Sequence, residues 1–243
     1  VQIAWQLHDE MGNLIEHEDY LIKPDGFDIP YDSERVHGIS TQLAQEQGIA
    51  LEEMLEKFNI ALSKTKFVVG QNLNFDLMVT GSEFVRAQIA NQLQEIPVLD
   101  TCTEHTAQLC QIPGGRGGKF KLPTLTELHE FLFGEPFSEA HNATADVEAT
   151  TRCFLELVRK QQYTREQLDV EEDYFLRFKQ SNPSTIAPVG LKHVNLQKAS
   201  AALKKDEEPV VSNQEIKENL AELSDAPFVH LHNHSQFSIL QST

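Results

Sequence analysis

Apolar and polar positions alternate at the start of the chain. Val1, Ile3, Trp5 and Leu7 share one face and mostly polar residues the other, the period-two pattern of a half-buried strand. His8-Asp9-Glu10-Met11-Gly12-Asn13 supplies turn residues, and a second strand runs from about Leu14 to Ile22, where Pro24 stops it. The chain therefore opens on a hairpin, and its first residue already lies inside a strand, which predicts a further segment upstream. From Gly26 to Ser40 the pattern lapses, and Pro30 and Gly38 mark a loop. Between Thr41 and Ser63 the spacing changes to threes and fours, with Leu51, Met54, Leu55, Phe58 and Leu62 predicting a helix. Phe67 to Gly70 reads as a short buried strand, and Asp76 opens a second helical pattern carrying Met78, Val85 and Ile89. Val98-Leu99-Asp100-Thr101 is a strand end leading into a helix, with Asp100 read as structural, a cap. Leu125, Leu128, Leu132 and Phe133 mark another helix, ended by Gly134. Val147, Thr151, Phe154, Leu155 and Val158 form one stripe of a long helix reaching about Arg159. An antiparallel start followed by strands alternating with helices predicts an α/β layer around a mixed sheet flanked by helices.

Past Gln161 the character changes. Thr164 to Lys179 is charged and helical in pattern. Ser181 to about Ser224 lacks sustained apolar periodicity and carries Pro183, Pro188, Pro209 and the Lys204–Glu208 charge block. It reads as linker, with short helices near Leu196–Leu203 and Ile216–Leu223. The last stretch, Phe228 to Ser238, places His230, His232 and His234 at alternate positions, hence on one face of a strand. Imidazoles so arranged suit borderline metals such as zinc.

Composition narrows the setting. No apolar run is long enough to cross a bilayer, and no basic-apolar leader precedes the first strand. Three cysteines without a CxxC pattern leave one unpaired in any scheme, which fits a reducing, cytoplasmic location. The formal charge of −17 opposes a simple nucleic-acid reading, because neutralising phosphates normally requires a basic face. A carboxylate site for metal ions must, however, itself be acidic before its cations bind. The densest positive patch is Gly114-Gly-Arg116-Gly-Gly-Lys119-Phe-Lys121. It is not a P-loop, since Gly-Lys is followed by Phe, so it reads as a flexible glycine-rich loop able to touch a phosphate backbone.

The chemistry-bearing stretches are Gly70-Gln71-Asn72-Leu-Asn74-Phe75-Asp76 and His141-Asn-Ala-Thr-Ala-Asp146. Each puts a carboxylate in the first turn of a helix, where the partial positive charge of the N-terminus favours its ionised form. Histidine ahead of the second helix can take a proton near neutral pH. Ionised carboxylates at two helix mouths and a proton-accepting imidazole suit metal-assisted phosphodiester hydrolysis. Each piece alone is equally a helix cap or a satisfied loop histidine.

The ordered set Val36-His37-Gly38-Ile39, Gly70-Gln-Asn72-x-x-Phe75-Asp76, Leu99-Asp100-Thr101 and His141-x4-Asp146 resembles the DnaQ-like 3′–5′ exonucleases over about the first 160 residues. That resemblance implies a ribonuclease H-like fold with a mostly irregular C-terminal extension. It implies Asp76, His141 and Asp146 as catalytic residues, with Asp76 and Asp146 holding Mg²⁺ or Mn²⁺. Asn72 supports the metal ligand or the substrate, Phe75 packs beneath, and His37 lies on the substrate rim. Many relatives carry histidine where this chain has Gln71. In the family a strand ahead of the hairpin bears Asp-x-Glu, and no Asp-x-Glu here sits in an apolar strand, so the site is expected to be catalytically incomplete. The terminal histidines resemble the opening of the PHP domain of bacterial DNA polymerase III α subunits, with His232 and His234 as metal ligands, Zn²⁺ in the complete domain.

The organisation expected is an exonuclease domain over 1–160, a charged helix and linker over 161–226, and the first strand of a PHP domain over 227–243. The function expected is the proofreading module of a replicative polymerase III α chain. It would act on single-stranded or frayed 3′ ends of DNA beside the rest of the polymerase and the sliding clamp, with no membrane partner. An RNA-trimming exonuclease of the same superfamily and a non-catalytic docking module are the alternatives.

Overall fold

Two strand pairs, not one continuous sheet, carry the molecule. In the computed structural model, which describes residues 2–137, 142–192 and 194–207, strands β1 (Gln2–His8) and β2 (Leu14–Leu21) form the antiparallel hairpin. Its register runs from Gln2 opposite Leu21 to Leu7 opposite Glu16, with an irregularity between Leu7 and His8 at the turn. Strands β3 (Val68–Gly70) and β4 (Val98–Asp100) pair in parallel. Mixed pairing around helices is the α/β arrangement that the alternation of periods predicts.

The helices follow their local signals, with three differences. Residues 26–40, read as loop, contain α1 (Tyr31–His37), opened by Pro30 and closed by Gly38 at φ 75°. The helix expected over Thr41–Ser63 is two: α2 (Thr41–Gln47), capped by the Ser40 hydroxyl, and α3 (Leu51–Leu62). They are divided at Gly48, where an added Cβ would lie 2.3 Å from the Ala44 carbonyl oxygen. Next come α4 (Asn74–Arg86), α5 (Glu104–Cys110), a single 3₁₀ turn at Arg116–Gly118, and α6 (Leu125–Phe133), which ends on left-handed Gly134. The long helix α7 spans Ala143–Arg159. The third difference lies beyond it. Where the charged stretch Thr164–Lys179 suggests one helix, the chain forms two, α8 (Arg165–Leu168) and α9 (Tyr174–Ser181), while the short helix expected near Leu196–Leu203 is α10 (Leu196–Glu207). Leu168, Tyr174, Phe178 and Ile186 pack on Leu155 and Val158 of α7, and Val1–Leu203 forms one compact unit. Of Lys204–Thr243, only the last turn of α10 is described; the predicted 216–223 helix, His230, His232 and His234 lie outside the described residues. No helix among the described residues is long and apolar enough to cross a membrane.

Helix α4, which carries Asp76, is turned differently from the expected stripe. Its core side is Leu77, Phe84 and the following Ala87, packed with Leu55 and Leu62 of α3. Phe75, Met78 and Val85 are 67%, 65% and 76% exposed. Phe75 therefore does not pack beneath the carboxylate as expected. A Phe84→Ala substitution should destabilise the protein by about 3–5 kcal/mol in chemical denaturation, the usual effect of emptying a buried phenyl site. Met78→Ala and Val85→Ala should each stay within about 0.5 kcal/mol of the parent.

Candidate active site

The site is built at the ends of β3 and β4 and at the mouths of two helices. After Gly70 the chain turns sharply, with Asn72 in the left-handed region at φ 60°. Asp100, at the end of β4, holds that turn: its carboxylate accepts the backbone N–H groups of Asn72 at 2.8 Å, Leu73 at 2.9 Å and Cys102 at 2.7 Å. Three charge-assisted bonds make Asp100 an organiser of the approach to α4, in keeping with its structural reading. Gln71 braces the turn from the other side. It donates to the Pro123 carbonyl at 2.8 Å and accepts from the Thr101 hydroxyl. Asp76 then falls in the first turn of α4.

Helix α7 begins on Asn142, whose side-chain oxygen accepts the Thr144 N–H at 3.1 Å, an N-cap bond. The hairpin anchors this end. Gln2 accepts the Ala143 N–H at 3.0 Å, the Thr144 hydroxyl donates to Asp19, and Gln2 also donates to Asp19 at 2.8 Å. Neither Gln2 nor Asp19 stands out in the sequence, because each is one polar residue on the solvent side of an alternating strand. Asp146 follows, half-buried, in the first turn.

Asp76 and Asp146 line the same cavity, of about 1770 Å³. It runs along the whole of β1 and along β3, takes only Ile15 from β2 and nothing from β4, and is covered by residues of α3, α4 and α7. It thus occupies the space between the unpaired edges of the two strand pairs. Phe75 lines it beside Asp76. Asn72 and His37 are not among its lining residues. Asn72 is exposed on the turn, its backbone held by Asp100. The His37 Nδ1 accepts the Ile39 N–H at 3.1 Å, and burial lowers the pKa of that imidazole, so it is neutral near pH 7. His141 lies outside the described residues.

Asp76 is exposed on α4, and partial desolvation by the protein around it, with the Asp100 charge adding to it, raises its pKa. A cation at this carboxylate would act in the opposite direction. The donor chemistry suits one: carboxylate oxygens are the ligands hard divalent ions take, usually six in number for Mg²⁺ with waters included. Asp76 and Asp146 supply two such groups, and no cluster of three or more His, Cys, Asp or Glu side chains is arranged for a metal among the described residues.

The glycine-rich loop is less available to phosphate than its composition suggests. Lys119 pairs with Glu104 at 2.6 Å and Lys121 with Glu127 at 2.7 Å.

Mixed strand pairs, covering helices and carboxylates at two helix mouths define a ribonuclease H-like α/β scaffold of the exonuclease type. A sequence profile of the RNase T class, described as "Exonuclease", matches residues 6–154, more than half of the chain, and the chain belongs to that family. Among solved structures it is similar to exonuclease I. The structure reported to suggest how that enzyme achieves processivity shares 24% identity at a TM-score of 0.55 over 69% of this chain. The zinc-bound form of the E. coli exonuclease I–single-stranded DNA complex shares 24% at 0.54, and a product-bound exonuclease I shares 22% at 0.55, each over 69% of this chain. These likenesses establish the fold. The chain spans 38%, 37% and 40% of those three proteins. No curated protein matches it.

Asp76→Asn separates the cost of a charge at this partly desolvated, exposed position from its use. The folded-state pKa lies above the unfolded value, so the charge opposes folding wherever the folded carboxyl is ionised, and that penalty disappears below the unfolded pKa. The variant should melt at a higher temperature than the parent at pH 7, with the gap closing as the pH falls to about 3. Thermal melts across that range check it.

Proposed function

We propose that this chain is a 3′–5′ exonuclease module whose site is completed by an Asp-x-Glu strand lying between β1 and β3. The observation carrying this reading is that Asp76 and Asp146, from separate helices, face one cavity bounded by two unpaired strand edges. A seven-residue strand, about 23 Å long, roughly 4.8 Å from each neighbour and one ~10 Å layer deep, displaces on the order of 1,100 Å³. The cavity is large enough to take it. Alternate residues of such a strand point the same way, so Asp and Glu two apart would face Asp76 and Asp146 together.

In this reading Asp76 and Asp146 hold Mg²⁺ or Mn²⁺ with the added carboxylates. The metal, when bound, polarises the scissile phosphate and lowers the pKa of water. His141 accepts the proton of the attacking water. Phe75, exposed on the cavity wall, offers an apolar face to a terminal base; Asn72 and His37 belong to the surrounding rim. The substrate is single-stranded or frayed 3′-terminal DNA, a choice supported by the E. coli exonuclease I complexes with single-stranded DNA and a dA16 oligonucleotide. The wider setting is a replicative DNA polymerase III α chain, with a PHP domain opening at residue 227. Zn²⁺ at His232 and His234, the polymerase body and the sliding clamp belong to that setting. The support is the order of sequence motifs and the three alternating histidines.

The test is a chain extended ahead of Val1 by a strand bearing Asp-x-Glu, assayed on matched single-stranded DNA and RNA with Mn²⁺. DNA degradation from the 3′ end is expected, and His141→Ala should slow it roughly 10²–10⁴-fold. Preference for RNA would move the assignment to an RNA-trimming enzyme, and absence of both Mn²⁺ binding and hydrolysis would make the chain a docking module.

A further inference from the structure

Residues 186–192 and 194–203 run back along α7 toward the site. Ile186 donates its N–H to Glu156 at 3.1 Å, and its carbonyl accepts from the Arg152 Nε at 2.9 Å. One turn on, Glu148 accepts the N–H groups of Gly190 at 2.6 Å and Leu191 at 3.2 Å. Finally the Asn142 amide donates to the Val194 carbonyl at 3.2 Å. Positions 156, 152 and 148 lie one turn apart on one side of the helix, and 142 is its cap. The segment thus follows α7 from its C-terminal half to its first residue. It then crosses to the turn between α1 and α2 and to α2 itself. Leu196 packs with Ile39, Leu43 and Ala44, and buried Ser200 donates to the Gly38 carbonyl at 2.7 Å while accepting the Ser40 N–H at 3.0 Å. The approach is close enough to require glycine at 38: a Cβ there would lie 2.6 Å from the Gln197 Cγ and 2.8 Å from its backbone nitrogen.

We propose that residues 186–192 and 194–203 form a clamp that fixes the first turn of α7, with Asp146, relative to the Gly38–Ser40 turn, and that Asn142 and Ser200 are positioning residues. The role of the held turn rests on the exonuclease reading; the clamp itself does not. The Asn142 amide is the joint. Its oxygen caps α7 and its nitrogen holds the strap, so the strap orients the group that starts the helix. Holding the supports of a site by bonds from a neighbouring segment is how ligand geometry is kept within the narrow limits that chemistry needs. Ser200 closes the other end with both a donated and an accepted bond.

Two substitutions in the full 243-residue chain test it. Asn142→Asp keeps an equally good cap but removes the donor to Val194, so a residue acting only as a cap would not register the change. Ser200→Ala removes both bonds at the far end. Amide exchange followed by NMR should show the Ser40 N–H and the α7 first turn exchanging about tenfold faster in either variant, with α9 unchanged; this is the loss of roughly one buried hydrogen bond. If Ser200→Ala loosens Ser40 alone, or Asn142→Asp leaves Ser40 protected, the two ends are not coupled and the clamp is refuted. Mn²⁺ titration of the same two variants made in the chain extended by the Asp-x-Glu strand tests positioning: affinity should weaken severalfold in both. Coupled exchange with unchanged affinity would overturn the positioning role. If the extended parent binds no Mn²⁺, the exonuclease reading fails and the positioning role fails with it, while the exchange result still decides the clamp.

Discussion

The two strand pairs share no hydrogen bond between them, so what keeps them side by side is helix α7, which packs on both β1 and β3. Ala145, Ala149, Cys153, Leu155, Leu157 and Val158 are all buried along it. Each large side chain among them contributes on the order of 1.5–3 kcal/mol by leaving water. The same helix carries Asp146 in its first turn, receives Gln2 and Asp19 of the hairpin at its mouth, and supports the segment that returns from residue 186. Displacing α7 would therefore separate the strand pairs, move the carboxylate and release the strap together.

A cavity bounded by two strand edges is an unusual feature to leave open. Unpaired N–H and C=O groups favour pairing with any extended chain that reaches them, and apolar walls favour the same outcome. The indole nitrogen of Trp5 on β1 is buried without a partner among the described residues. Partial desolvation beside the same cavity raises the pKa of Asp76, so its charge is held there at some cost.

The acidity of the chain takes on a different meaning once side chains are located. Part of it is spent locally, in Asp100 holding the β3–α4 turn and in Glu104 and Glu127 neutralising the loop lysines. A loop that composition marks as a phosphate contact is thus largely compensated, and grip on a nucleic acid would have to come from stacking surfaces such as Phe75 or from a partner.

Local patterns alone determined the hairpin, the bounds of α6 and α7 and the placement of Asp76 and Asp146 in first turns, because strand alternation, caps and terminal glycines act over a few residues. The ordered motifs determined the family. The stripe Met78, Val85 and Ile89 misplaces the inward side of α4, because Leu77 and Phe84 recur as regularly and only α3 packing against one set decides; of the three, Ile89 alone packs on the core. The break at Gly48 depends on a carbonyl in the preceding helix. Polar residues such as Gln2, Asp19, Asn142 and Ser200 look like any solvent-facing residue until partners up to 162 positions away arrive. The strap along α7 was illegible for the same reason: its bonds run between backbone groups and distant side chains, and no period in the sequence records a contact of that kind.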